Sequence, residues 1–225
     1  METKERIGRI ITFGMFDKIT GTKRYLDNID KYVAAGNPGV VVQAYPPSVI
    51  IPKTFIMGGE LCHKEDYLCR TVSGNSMLVD GIHSGWELLL RQTNVEGIEQ
   101  GDFIVIDVDK EYYKHRHNEK EPLFHLKLRR AIGTINAETT ANTLRQDLAG
   151  TFAEPLDEND YEDIKSSLLD ARTFYKNNTS LFLSVTYHNS DIHYSFHPTN
   201  SIKYIVAGVA YNSDQGVEYK LTKEL

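Results

Sequence analysis

The residues best suited to chemistry in this sequence are a serine in a turn-forming segment and a lysine in an apolar one. Ser76 lies in residues 72–77, where Gly74 and Asn75 precede it. A serine beside glycine at the end of a strand can be held on a tight turn, where neighbouring backbone N–H groups are free to bind an oxyanion. The same residue types are common in turns without any chemistry, so the segment alone leaves both interpretations open.

A nucleophilic serine needs a base, and the sequence offers a lysine rather than a His–Asp pair at triad spacing. Lys127 lies between Leu126 and Leu128 in a segment that alternates apolar and polar residues. On the solvent face of a strand it would be an ordinary surface lysine. If it is buried beside Ser76, desolvation favours the neutral amine, which can take the serine proton as in serine–lysine dyads.

Short apolar runs bounded by Gly, Asp or Asn predict the strands that would position these residues. Residues 136–180 change to helical spacing, with Leu144 and Leu148 four apart and a second helix capped by Asp157 or Asn159. The predicted fold class is mainly β, built of small twisted sheets with a two-helix insertion. The apolar face of the second helix would comprise Ile164, Leu168, Ala171 and Tyr175. The predicted strands cover residues 86–91, 103–108, 123–130, 181–187, 192–196 and 204–211.

Composition and charge exclude several classes of protein. The 225 residues contain 25 Lys and Arg against 31 Asp and Glu, a net charge of −6, so a general basic surface for phosphate backbones is missing. No apolar run approaches the ~20 residues of a membrane span, and no signal-peptide pattern follows residues 1–9. Two cysteines are too few for a disulfide framework. We expect a cytoplasmic protein that binds neither bulk DNA nor a membrane.

Four sequence blocks, in order, resemble the peptidase domains of LexA, UmuD and the phage repressors. The resemblance covers about residues 34–135 and resumes in residues 192–210. It implies a LexA-like peptidase core with Ser76 as nucleophile, Lys127 as general base, and the backbone N–H groups of Asn75 and Ser76 as the oxyanion hole. The blocks are Ser-Gly-Asn-Ser-Met at 73–77, Gly-Ile-x-x-Gly at 81–85, Gln-Gly-Asp-Phe-Ile-Val at 100–105 and Leu-Lys-Leu-Arg-Arg at 126–130.

By the same resemblance, the chain is expected to cut itself at an Ala–Gly bond upstream of the serine. Ala35–Gly36 lies upstream of Ser76 in a turn-forming segment, whereas the other two Ala–Gly pairs fall in the insertion and in a predicted strand. Small residues let the scissile backbone approach closely, and a tethered substrate has a high effective concentration. The predicted parts are an N-terminal cleavable arm at 1–35, an extended cleavage-loop segment at 36–70 and the peptidase domain at 71–225.

Two features depart from the family pattern. Trp86 stands where an acid is usual, and a polar loop at 112–122 lengthens the separation between Ser76 and Lys127. The acidic insertion at 136–180 cannot be assigned from the family, and a partner-docking surface and a solvated decoration both remain open.

Three functions are compatible with these observations. The first is a self-cleaving regulator of the DNA-damage (SOS) response, which by resemblance would be a homodimer triggered by a RecA filament. The second is a LexA-like dimerisation or binding module without activity, for example for a polymerase-like partner. The third is a phage-repressor-like transcription regulator. Residues 1–35 are few for a helix-turn-helix domain and a linker, which favours the UmuD-like arrangement with a short arm.

Neither a metal site nor a redox pair is expected, and no cofactor is implied. His115 and His117 lie two apart with His125 nearby, but in a charged loop without a matching carboxylate or Cys pattern. Cys62 and Cys69 are too far apart in sequence for a Cys-x-x-Cys motif, so ordinary partly buried thiols are expected.

Overall fold

The computed structural model describes residues 32–34, 49–74, 77–116, 125–149, 152, 156–175, 179–188 and 191–225. Most of the predicted arm, residues 1–35, therefore lies outside the described residues. The described strands are β1 Tyr32–Ala34, β2 Thr54–Met57, β3 Glu60–His63, β4 Leu68–Ser73, β5 Glu87–Gln92, β6 Phe103–Asp107, β7 Leu126–Ile135, β8 Leu181–His188, β9 Asp191–Pro198, β10 Ile202–Ser213 and β11 Gly216–Leu221. The described helices are α1 Lys110–Arg116, α2 Leu144–Asp147 and α3 Glu158–Tyr175. The predicted mainly β class is confirmed.

One large sheet carries almost all of the strands. Its order is β1-β4-β5-β10-β6-β7-β8-β9, with β11 added on β10. Because β1 also pairs with β7, the strands β1, β4, β5, β10, β6 and β7 form a closed circuit. Within this circuit β1 runs parallel to both of its neighbours, whereas the remaining pairs are antiparallel.

The core lies on both sides of the central strands. In β5, Leu88 and Leu90 belong to one apolar cluster and Leu89 to another, because successive side chains of a strand point to opposite faces. A strand buried on both faces reads as a continuous apolar run, as residues 88–90 do. The six strands that the short apolar runs predict are present as β5 to β10, with bounds shifted by a few residues.

The described part of the predicted cleavage-loop segment contains a β hairpin. Strands β2 and β3 are joined through Gly58 and Gly59, whose φ angles of 59° and 81° suit a tight hairpin turn. Phe55 of the hairpin stacks on Tyr219 of β11 at 4.5 Å between ring centroids. A side chain at Gly208 would collide with Met57, so the hairpin crosses β10 where that strand has no Cβ.

The helical insertion is confirmed and packs on the outer end of the sheet. Asp157 Oδ1 accepts a hydrogen bond from the Asp160 N–H at 2.8 Å, so the predicted N-cap begins α3. The predicted face of α3 is buried against β9, and α2 contributes Leu144 and Leu148 to the same cluster. No helix in the described part of the chain is long and apolar enough to cross a bilayer.

The segment expected to be a polar loop at 112–122 begins instead within α1. Asp109 Oδ1 accepts hydrogen bonds from the backbone N–H groups of Glu111 and Tyr112, both at 3.0 Å, which stabilises the first turn. Tyr112 and Tyr113 are buried, so apolar contact supports a helix whose other residues are polar or charged. Residues 117–122 of the predicted loop lie outside the described residues.

Candidate active site

Strand β1 ends one residue before the predicted scissile bond. It lies between β4, which precedes the predicted nucleophile in the sequence, and β7, which contains the predicted base. Ala34 is in register with Ser73 of β4 on one side and with Lys127 of β7 on the other. All three strands run in the same direction, and β1 and β4 end side by side next to the beginning of β7, where Lys127 is the second residue. Four predicted site residues, Ala35, Gly36, Asn75 and Ser76, lie outside the described residues, and their roles stay predictions.

Lys127 is buried, with 8% of its surface exposed. Its Nζ lies 4.6 Å from the centroid of the Tyr113 ring, and no carboxylate among the described residues forms an ion pair with it. Burial first, and then the positive charges of Arg129 and Arg116, lower the pKa of Lys127 to about 6. The lysine is therefore mostly the neutral amine at pH 7, which is the state that a general base requires.

The chain on both sides of residues 75–76 is anchored. Gly74 has a φ of 104°, which favours glycine, and its N–H donates to Ser84 Oγ at 3.3 Å. Met77 is completely buried, and its carbonyl accepts the Ile82 N–H at 3.1 Å. The described residues on either side, Gly74 and Met77, are thus held in place.

An ion pair between a buried carboxylate and a partly exposed arginine joins the turn that follows Ser76 in the sequence to the lysine strand. Arg130 Nη1 lies 2.5 Å from Asp80 Oδ1, and the Asp80 side chain is only 4% exposed. Burial raises the pKa of Asp80, and the charge of Arg130 opposes that rise. Because Arg130 follows Lys127 by three residues in β7, this pair fixes the distance between the turn and the lysine strand.

Trp86 has a structural role where an acid was expected. Its ring stacks on Tyr211 of β10 at 4.3 Å between centroids and packs against the apolar cluster beneath β4 and β5. The indole therefore covers the core beside the site.

A cavity of about 320 Å³ lies beside Lys127, between α1, β7 and β9. Arg129, Ser195 and His197 line it, and sequence reasoning missed all three as site residues. Ser195 Oγ and His197 Nε2 are 2.9 Å apart, and burial holds the pKa of His197 well below its usual range, so the imidazole is neutral. The sequence signal that could have found them is the alternation of side chains along a strand. It puts Lys127 and Arg129 on one face of β7, and Ser195 and His197 on one face of β9.

The other candidate groups do not assemble into a site among the described residues. His115 pairs with Asp170 at 3.3 Å, and His117 lies outside the described residues. No group of three or more His, Cys, Asp or Glu side chains suited to a metal ion occurs in the described ranges. Cys62 and Cys69 are both free thiols.

The mainly β fold thus buries Lys127 beside the parallel strand β1. Residues 28–128 match the family described as Peptidase S24-like. This is the family of the LexA, UmuD and phage-repressor peptidases that the four sequence blocks resemble. No significant match was found among curated proteins or among solved structures. The family match ends just after Lys127 and does not include the helical insertion.

Proposed function

We propose that the protein is a self-cleaving serine peptidase that hydrolyses its own Ala35–Gly36 bond as a regulatory switch. The observation that carries this proposal is the register of β1, in which Ala34 lies between Ser73 and Lys127. The scissile bond begins one residue after Ala34 in the sequence, and Ser76 follows Ser73 by three. Because β1 and β4 both end next to Lys127, the bond, the nucleophile and the base would meet there.

The proposed reaction uses only groups of this chain. The neutral Nζ of Lys127 takes the proton of Ser76 Oγ, and Oγ attacks the carbonyl carbon of Ala35. The backbone N–H groups of Asn75 and Ser76 stabilise the oxyanion. The C–N bond then breaks, and the Lys127 ammonium gives its proton to the leaving Gly36 amine. Water, deprotonated by Lys127, attacks the acyl-enzyme, and the Ala35 carboxylate and the Ser76 hydroxyl are released.

Strand addition supports recognition of the bond without a deep specificity pocket. Main-chain hydrogen bonds from β4 and β7 would hold residues 32–34 extended, which is the conformation in which peptides are commonly bound as an added strand. Because substrate and site share one chain, a slow reaction suffices for a switch.

The energetic cost of Lys127 favours an enzyme over an inactive binding module. A buried amine without an ion-pair partner among the described residues destabilises a fold at neutral pH, and an apolar side chain would fill the same volume without that cost. A module that serves only for dimerisation or for a polymerase-like partner has no use for such a group. The phage-repressor-like alternative would add operator binding to the same chemistry and is tested by salt-sensitive, specific binding to a duplex.

The regulatory setting extends the proposal by family resemblance. A homodimer in the DNA-damage response, with a RecA filament as trigger, would control when residues 32–36 occupy the site. Addition of a RecA filament on single-stranded DNA should accelerate cleavage of the full chain, and an unchanged rate would remove this trigger while leaving the chemistry in place.

The test is cleavage of the purified full-length chain, followed by intact mass. The parent should yield residues 1–35 and 36–225, and Ser76→Ala and Lys127→Met should stay whole. Ser195→Ala is the matched control, because this serine also lies beside a neutral base, His197, in the cavity next to Lys127. A parent that stays whole at every pH would favour the binding module. Loss of cleavage in Ser195→Ala, and not in Ser76→Ala, would reassign the nucleophile.

A further inference from the structure

Arg129 is a buried cation whose charge the described residues leave uncompensated. Only 6% of its surface is exposed, and it lines the cavity of about 320 Å³ beside Lys127. Its Nη1 donates to the Leu128 carbonyl at 2.7 Å, whereas Nε has no hydrogen-bond partner among the described residues. No described carboxylate forms an ion pair with it. A buried guanidinium in this state destabilises the fold unless a ligand supplies the missing acceptor.

The acids near the cavity are engaged elsewhere or exposed. Asp109 accepts the N–H groups that begin α1, and Asp170 pairs with Arg116 at 3.1 Å and with His115 at 3.3 Å. Asp107 is exposed at the end of β6. Besides Lys127, Arg129 and five tyrosines, the titratable and charged groups that line the cavity are Asp107, Asp109, Arg116, His193 and His197.

The cavity is neither anionic nor wholly polar. Burial and the positive charges of Arg129, Lys127 and Arg116 keep His197 neutral, so its imidazole adds no charge to this wall. Aromatic rings form much of the wall, and flat rings bind the apolar body of a ligand well. The tyrosines that line it are Tyr112, Tyr113, Tyr175, Tyr187 and Tyr194.

We propose that this cavity binds a small organic anion, whose carboxylate or phosphate pairs with the Arg129 guanidinium while its body lies against the tyrosine rings. A planar guanidinium presents paired donors that match either group. The volume of about 320 Å³ is at the lower end of the range of ligand pockets and suits a compact molecule.

The same anion would regulate the lysine, an effect that rests on the proposed function. Lys127 and Arg129 line one cavity, so a bound negative charge favours the ammonium form of Lys127. An ammonium cannot accept the serine proton, and the anion is therefore an inhibitor of cleavage. By linkage, protonation of Lys127 tightens anion binding as the pH falls.

Binding is tested first, on full-length Ser76→Ala protein, so that cleavage plays no part. Benzoate and inorganic phosphate are titrated by calorimetry and by ligand-detected NMR, with benzamide as the neutral match of benzoate. We expect saturable binding of benzoate or phosphate below about 10 mM, with benzamide at least about tenfold weaker. Arg129→Met should weaken benzoate binding about tenfold or more, and Arg129→Lys should restore part of it.

The outcomes separate this site from the proposed function. No saturable binding of either anion, or equal binding of benzoate and benzamide, would overturn the anion site. If Arg129→Met fails to fold, the Arg129 Nε–H signal of the folded protein decides: a shift with benzoate supports the site, and an unmoved signal contradicts it. Anion binding in a protein that never cleaves itself would keep the site and remove the proposed function.

Discussion

Ala34 and Lys127 are partners in a parallel bridge, so the strand that precedes the predicted scissile bond lies directly against the strand of the predicted base. The same residue is also in register with Ser73. The site is thus completed by a segment of the chain that it is proposed to cut. Four predictions follow from this arrangement and from the groups around it.

Proline at position 34 should block cleavage. Because β1 lies between two strands, its backbone N–H groups face a neighbour on either side, and proline removes one donor and disturbs the register. We expect the self-cleavage rate of Ala34→Pro to fall by about 10- to 100-fold, the equivalent of one or two main-chain hydrogen bonds. Ala34→Ser, which keeps the N–H and a small side chain, is the control. Cleavage of both variants at the parental rate would show that β1 is not the bound substrate strand.

The cleavage rate should follow the titration of Lys127. With a pKa of about 6, the neutral amine becomes the major form above that pH. We expect the first-order rate to rise about tenfold per pH unit below the pKa and to level off above about pH 7. Intact masses recorded over time from about pH 4 to about pH 10 give this profile. A rate that still climbs toward pH 10 would contradict it, because that is the behaviour of a solvated lysine.

Replacement of Lys127 by methionine should stabilise the fold. The pKa of this lysine falls from its ordinary 10.5 to about 6 on folding, so between these values the unfolded chain binds more protons than the folded one. The free energy of unfolding of the parent therefore rises with pH across this window. The stability that the buried amine costs is greatest below about pH 6. In the Ser76→Ala background, Lys127→Met should raise the free energy of unfolding by on the order of a few kcal/mol at low pH. This gain should shrink toward pH 10.5.

Urea unfolding at several pH values measures this gain. Lys53→Met in the same Ser76→Ala background is the matched control, since Lys53 is exposed. A Lys127→Met gain that is absent, or that does not change with pH, would mean that the amine is not desolvated in the folded protein.

Much of the fold could be predicted from the sequence, because it depends on local periodicity. The run at residues 88–90 indicates a strand buried on both faces, and the helical spacing of Ile164, Leu168 and Ala171 indicates one buried helix face. Both elements form as predicted. Helix α1 is not predicted from the sequence, because its charged residues outnumber the two buried tyrosines and a charged segment is typical of a loop.

The candidate site could be predicted only in part, because it depends on which strands become neighbours. Alternation puts Lys127 on one face of β7, but only the packing of α1 and β9 shows that this face is covered. Ser195 and His197 lie some seventy residues further along the chain, and the order β7-β8-β9 brings them to Lys127. Sequence spacing carries no signal of such long-range contacts.

The ion pair between Asp80 and Arg130 should couple stability to catalysis. Removal of Arg130 leaves a carboxylate that is 4% exposed without its partner. Because Arg130 itself is 42% exposed, we expect Arg130→Met to destabilise the fold by about 1 to 3 kcal/mol, less than for a fully buried pair. The cleavage rate should fall as well, since the turn after Ser76 loses its link to β7.

Asp80→Asn/Arg130→Met should recover part of the lost stability, because no charge is then left buried. Additive losses in this double-mutant cycle, measured by urea unfolding, would show that the two side chains do not interact.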